Sequence, residues 1–232
     1  MATVFAVGVG PGDLELLTRK AERILRSVDV ILAPVSNPSE ASVALGTIRE
    51  FIDEERQEII VHQFPMTSDK TRLIPAWQEA AALIASHAQE GRSVAFITIG
   101  DPLFYSTFIY LLRILREQWP LLPIEIIPGI SSINAAAAEA ILPLVEGDER
   151  MVVIPATAGI NQITSALADY ETVVLLKVKP LYAEIIELLR KTGREQRTLF
   201  VERVGSSRQK VLTDFSEIAA HTPDYLSLMI IK

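Results

Sequence analysis

Apolar runs of strand length alternate with helical patterns along this chain. This alternation constrains the fold more than any other feature. Thr3 to Val9 (TVFAVGV) is short, β-branched and ended by glycine, as suits a buried strand. Leu16, Leu17, Ala21, Ile24, Leu25 and Val28 then recur at helical spacing, with Arg19, Lys20, Glu22, Arg23 and Arg26 between them. That pattern predicts an amphipathic helix. Asp29 to Pro34 reads as a second strand stopped by Pro34, followed by a helix around Glu40 to Ile52 and a strand over Glu58 to His62. Phe64 to Thr71 reads as a loop. An alanine-rich helix is expected from about Ile74 to Glu90, with Gly91 in the left-handed capping position. Val94 to Gly100 is the most strand-like run and leads into a helix through Trp119.

Trp119 to Pro123 carries two prolines and reads as a linker, which predicts an N-terminal α/β domain over 1–119 and a C-terminal one over 124–232. In the second half, strands are expected at Ile124–Ile127, Met151–Pro155, Thr172–Val178 and Thr198–Val204. Helices are expected near Ser131–Ile141, Ile160–Asp169 and Leu181–Lys191. The tail (QKVLTDF, then YLSLMIIK) has no long helix after either run and predicts a finishing antiparallel element. Strands alternating with helices imply α/β architecture with largely parallel sheets.

Composition removes several function classes. The chain has 232 residues, enough to bury a core without disulfide or metal staples. It has no cysteine, hence no thiolate nucleophile, no disulfide framework and no Cys-ligated metal. The net charge of −7 argues against general nucleic-acid binding, which needs a basic footprint. No stretch approaches the roughly 18–20 consecutive apolar residues of a membrane span. The N-terminal MATVFAVGVGPGD lacks a basic leader region, so a cytoplasmic location is expected. His62, His87 and His221 are far apart in sequence and predict no metal site.

In open α/β sheets, ligands bind beyond the carboxyl ends of the strands, and four motifs follow strands here. Gly8-Val9-Gly10-Pro11-Gly12-Asp13 opens a helix as a dinucleotide fingerprint would. However, Asp13 replaces its last glycine and would repel a pyrophosphate. The same residues serve equally as a tight turn with Asp13 or Thr18 near a cap. In Gly100-Asp101-Pro102-Leu103-Phe104-Tyr105-Ser106-Thr107, Asp101 can cap a helix or accept hydrogen bonds from ligand hydroxyls. The Asp, Tyr, Ser, Thr cluster is richer than a cap needs. Pro128-Gly129-Ile130-Ser131-Ser132 offers an N-cap or a ligand-binding turn. Glu202-Arg203-Val204-Gly205-Ser206-Ser207 alone reads as a polar loop.

Taken together and in order, VGVGPGDLELLTRKA, VAFITIGDPLFYST and IIPGISS resemble the hallmarks of the tetrapyrrole methylase family, over essentially the whole chain. FPMT within HQFPMTSDKT, the YST completing GDPLFYST, and LPLVEG (Leu142 to Gly147) resemble the branch that methylates C20 of precorrin-2 or cobalt-factor 2 in cobalamin synthesis. The resemblance implies two α/β domains with S-adenosylmethionine in the cleft between them, released as S-adenosylhomocysteine. It implies a tetrapyrrole substrate and a homodimer. Carried onto matching positions, the cofactor contacts are Pro11, Gly100, Asp101, Phe104, Ser106, Thr107, Ser131, Ser132, Leu176, Lys177, Val204, Gly205 and Leu228.

The implied reaction is attack by the C20 carbon on the sulfonium methyl, with loss of a proton from C20. Tyr105 and Asp13, near strand ends, are the candidate proton-handling residues. Some of Arg49, Lys70, Arg72, Lys177, Lys179 and Arg203 are expected to pair with substrate carboxylates. The alternatives are methylation at another corrin position or on a protein side chain, and a non-catalytic nucleotide-binding module.

Overall fold

The computed structural model describes every residue except Pro38, Glu40 and Ser68, and divides the chain into two units, Met1–Ser131 and Ser132–Lys232. In the first unit, strands β1 (Val4–Gly8), β2 (Val30–Val35), β3 (Glu58–Gln63), β4 (Val94–Thr98) and β5 (Ile124–Ile127) form one sheet in the order β3-β2-β4-β1-β5. Every pairing in it is parallel. Helices α1 (Arg19–Leu25), α2 (Val43–Ile48), α3 (Lys70–Gln89) and α4 (Phe108–Gln118) cover it.

The two faces of the sheet explain its near-continuous apolar strands. Val4, Ala6, Leu32 and Phe96 point to one face and pack with Ala81, Ile84, Phe108 and Leu111 of α3 and α4. Val7, Ile31, Ala95 and Ile97 point to the other, against Ala21, Leu25, Ala44 and Ile48 of α1 and α2. The chain thus leaves β1 toward one face and β4 toward the other. Since β1 and β4 are neighbours, the order reverses between them, which in such sheets opens a crevice at the carboxyl ends.

Four sequence expectations change here. The break falls between Ser131 and Ser132 instead of at 119–124, because Ile124–Ile127 pairs with β1 and completes the first sheet. Pro34 does not stop β2; it stands opposite His62 within the strand. Pairing of β2 with β4 ends at Leu32, so the side of β2 on which proline lacks an N–H is already free of a neighbouring strand. The Pro34 carbonyl on that side accepts the Ser42 hydroxyl at 2.8 Å. The helix expected from Glu40 begins at Val43, capped by Ser42; its expected first residue lies outside the described residues, as does Ser68 of the Phe64–Thr71 loop. Helix α3 starts at Lys70 rather than Ile74, capped by Asp69 and carrying Pro75 in its early turns.

The second unit contains α5 (Ser132–Glu139), β6 (Met151–Pro155), α6 (Ile160–Asp169), β7 (Thr172–Leu176), α7 (Tyr182–Thr192), β8 (Thr198–Glu202), β9 (Lys210–Leu212), α8 (Phe215–Ala220) and β10 (Ser227–Ile231). Its sheet order is β6-β7-β10-β8-β9. Only β6 and β7 pair in parallel. β10 enters antiparallel between β7 and β8, and β9 is antiparallel to β8. The expected parallel character therefore holds for the first sheet, while the tail converts the second into a mixed one. Leu175, Phe200 and Met229 pack there against Ile163, Ile185, Leu189 and Ile218 of the covering helices.

Candidate functional site

The three glycine-bearing loops of the first unit meet backbone to backbone. A Cβ on Gly8 would lie 2.5 Å from the Gly100 carbonyl oxygen, and one on Gly129 would lie 2.1 Å from the same atom. No larger residue fits at either position without moving the chain. Gly10 and Gly100 form an antiparallel bridge, the Gly100 N–H donating to the Gly10 carbonyl at 2.8 Å. Both have left-handed backbones (φ 76° and 71°), which glycine adopts without penalty. The loops after β1, β4 and β5 are thereby fixed to one another at the point of strand-order reversal.

Asp101 joins two of them. Its Oδ1 accepts the Leu103 N–H at 2.8 Å and its Oδ2 accepts the Gly129 N–H at 3.1 Å. The capping role is real, yet each carboxylate oxygen retains a second acceptor site. Asp13 accepts the Glu15 N–H at 2.9 Å and opens the short turn Leu14–Leu16. Pro11 is buried. The Ser106 hydroxyl is buried, donating to Thr98 Oγ1 at 3.1 Å and accepting from Phe108 N at 3.2 Å. Ser106 therefore ties α4 to β4, with Thr107 directly before the helix. Phe104 and Tyr105 are exposed, their rings 5.0 Å apart edge to face, and Tyr105 has φ 53°. A left-handed tyrosine is strained by about 1–2 kcal/mol. Ser131 ends the first unit and Ser132 opens α5.

In the second unit, Leu176 and Leu228 are register partners across β7 and β10, and β8 flanks β10 on its other side. Val204 is buried just beyond β8 and Gly205 (φ 78°) follows it. The Gly205 N–H donates to Gln209 Oε1 at 2.6 Å, and Gln209 donates to Glu139 at 2.8 Å. Leu176, Lys177, Val204, Gly205 and Leu228 are thus gathered at one end of this sheet. Lys177 is left-handed (φ 56°) and half-buried.

A carboxylate network that sequence reasoning did not single out supports this end. Buried Glu202 accepts the Asp224 N–H at 2.6 Å and lies 3.1 Å from His221 Nε2. Arg203, left-handed at φ 49°, holds Asp224 through Nε at 2.7 Å and a second nitrogen at 2.5 Å. Burial opposes ionisation of Asp224, but the Arg203 hydrogen bond and charge, with the Tyr225 and Leu226 N–H groups, outweigh it and hold the carboxyl below its usual range. Burial, with the Glu202 charge, pushes the Tyr182 phenol up to about 12, so its hydroxyl stays protonated and donates to the Ile218 carbonyl at 2.8 Å. Only Glu202 and Arg203 lay in a motif; His221 and Asp224 arrive from the segment before β10 and carried no sequence signal. Arg203 is committed to Asp224, which withdraws it from the expected carboxylate-binding set, while Arg49 pairs with Glu54 on the open surface. Among the described residues no three metal-ligating side chains cluster, and no helix is long and apolar enough to cross a membrane.

Residues 3–219 match the family described as Tetrapyrrole (Corrin/Porphyrin) Methylases. The chain is 37% identical to a protein of Methanocaldococcus jannaschii named probable cobalt-precorrin-2 C(20)-methyltransferase, over 99% of this chain and 95% of that one. It is 37% identical to the cobalt-precorrin-2 C(20)-methyltransferase of Salmonella typhimurium, over 82% and 78%. Among solved structures, a uroporphyrin-III C-methyltransferase from Thermus thermophilus, in complex with S-adenosylhomocysteine, shares this fold at a TM-score of 0.68 and 24% identity, covering 99% of this chain and 92% of that one.

Proposed function

Since the chain belongs to the tetrapyrrole (corrin/porphyrin) methylase family, we propose that it methylates C20 of precorrin-2 or cobalt-factor 2 from S-adenosylmethionine, in cobalamin biosynthesis. One observation carries this reading: three family-type loops, Gly8–Asp13, Gly100–Thr107 and Pro128–Ser131, lock together at the strand-order reversal of a chain 37% identical, across its length, to a relative named probable cobalt-precorrin-2 C(20)-methyltransferase.

The residues present fit such a methyl donor. The spare acceptor sites of Asp101 suit ribose hydroxyls or the amino group of the methionine moiety, and a Cβ on Gly100 would meet open space. Gly100, Phe104, Thr107, Ser131 and Ser132 are the proposed neighbours of the methionine and ribose. Pro11 and Ser106 hold their loops. Leu176, Val204, Gly205 and Leu228, at one end of the second sheet, are the proposed adenosine contacts.

When bound, S-adenosylmethionine supplies an electrophilic methyl, so the protein's contribution is mainly alignment. Holding two reactants in line accounts for about 7–11 kcal/mol of barrier in favourable cases. The interlocked glycine loops suit this role, because they leave little backbone freedom where alignment is set. The proton leaving C20 is assigned to the Asp13 carboxylate, whose Oδ2 is left over once Oδ1 caps the Glu15 N–H, or to Tyr105 acting as a relay, its exposed hydroxyl oxygen taking that proton as it passes its own to solvent water. The relatives' names favour the cobalt-loaded substrate. We further propose a homodimer, which light scattering tests.

The deciding experiment is anaerobic turnover of precorrin-2 and cobalt-factor 2 with S-adenosylmethionine, alongside calorimetry with S-adenosylhomocysteine. Methylation at C20 of one substrate is expected. No turnover of either, with no S-adenosylhomocysteine binding, overturns the reading in favour of a non-catalytic module; turnover of another tetrapyrrole reassigns the position.

A further inference from the structure

We infer that Lys177 is a substrate-specificity residue whose ammonium pairs with a carboxylate of the tetrapyrrole; this rests on the methyltransferase reading above. Lys177 stands one residue beyond the Leu176–Leu228 pair, where β7 ends. Its backbone is left-handed, a conformation glycine or asparagine takes far more readily than lysine. A turn alone would not call for lysine at that position. The residue is half-buried, and its side chain forms no hydrogen bond or ion pair with any described residue.

Comparison with the other cations isolates it. Arg203, left-handed at the matching position after β8, is fully engaged by Asp224. Arg49 is paired with Glu54. Lys70, Arg72 and Lys179 are exposed, where water satisfies a charge at no penalty. Lys177 alone among these candidates combines partial burial with the lack of a carboxylate. A half-buried lysine whose ammonium has no carboxylate among the described residues holds its charge available to a partner that arrives with the ligand.

The charge balance of the two reactants selects the partner. S-adenosylmethionine carries a sulfonium and an ammonium against one carboxylate, a net positive charge that an additional ammonium would repel. The tetrapyrrole carries several carboxylates. Lysine offers a compact charge with three donors on a flexible stem, which suits a mobile acid side chain better than a planar fork would.

The test compares wild type, Lys177→Asn and Lys177→Arg. Asparagine tolerates the left-handed backbone, so the fold is kept while the charge is removed. The readouts are kcat and KM for whichever tetrapyrrole the wild type turns over, across a salt series, and the Kd of S-adenosylhomocysteine. Lys177→Asn is expected to raise KM roughly 10-fold or more at low salt. The difference should shrink as salt screens the pair, with kcat and cofactor affinity changing less than about twofold and arginine restoring most of the loss. An unchanged KM overturns the inference. An equal loss in cofactor affinity also overturns it and moves Lys177 to the cofactor. A wild type that binds no S-adenosylhomocysteine and turns over nothing defeats the methyltransferase reading, a result distinguishable from either.

Discussion

Replacing Gly129 by alanine tests whether the three loops are locked as described. The added Cβ would sit 2.1 Å from the Gly100 carbonyl oxygen and 2.8 Å from the Gly8 carbonyl carbon. Ordinary contact begins near 3.4 Å, so the β4 loop must retreat by roughly 1 Å or more. Overpacking of this kind costs about 1–3 kcal/mol. If the retreat also breaks the Asp101–Gly129 hydrogen bond, about 1.5–3 kcal/mol is added, since the acceptor is charged. The combined loss of roughly 2.5–6 kcal/mol is a large part of a typical domain's stability and lowers its melting temperature by roughly 5–24 °C. Gly46 is the contrast: it is exposed inside α2, lacks a positive φ, and a Cβ there meets nothing within 4 Å. Gly46→Ala should stabilise by about 0.4–1 kcal/mol. Thermal unfolding of both variants, then calorimetry with S-adenosylhomocysteine, reads the result. Equal melting temperatures for Gly129→Ala and wild type, with unchanged affinity, would refute the interlocked arrangement.

Two further outcomes are expected. Asp101→Ala should weaken S-adenosylhomocysteine binding by roughly 10–100-fold in calorimetry, as loss of a charged hydrogen bond implies; wild-type affinity would reduce Asp101 to a cap. Asp224 has a folded-state pKa below its unfolded one, so its pairing with Arg203 contributes stability above the unfolded value near 3.8 and loses it as pH falls through the folded value. The stability gap between wild type and Asp224→Asn in urea should therefore narrow below about pH 4, and a gap independent of pH would count against the pairing.

Periodicity sufficed wherever local chemistry decides. The strands over Ile124–Ile127 and Met151–Pro155 and the helix Ile160–Asp169 fall where the apolar spacing puts them. It did not suffice where pairing across the sheet decides. Proline in β2 is tolerated only because the neighbouring ladder has already ended at Leu32, a fact of register that no local window contains. Likewise, Trp119–Pro123 looks like a linker because prolines punctuate it, but Ile124–Ile127 finds its partner in β1, more than a hundred residues earlier. At the candidate site, glycines and Asp101 were readable because their residue types are restrictive. That one carboxylate spans two loops was not, since it depends on Gly129 arriving beside Gly100. The His221–Glu202–Asp224–Arg203 network stayed hidden for the same reason: its halves come from opposite sides of β9 and α8.

The placement of β10 has a consequence for how the protein emerges from the ribosome. All five strands of the first sheet have been translated by Ile127, so that unit can consolidate early. The second sheet has a gap at its centre, flanked by the open edges of β7 and β8, until Ile231 leaves the exit tunnel. At about 5–20 residues per second, roughly 5–20 s separate these events. For the final part of that interval, the roughly 1.5–6 s between synthesis of Glu202 and of Ile231, two strands rich in valine, leucine and phenylalanine both offer unpaired backbone to any other nascent chain, a hazard the sheet removes only with β10.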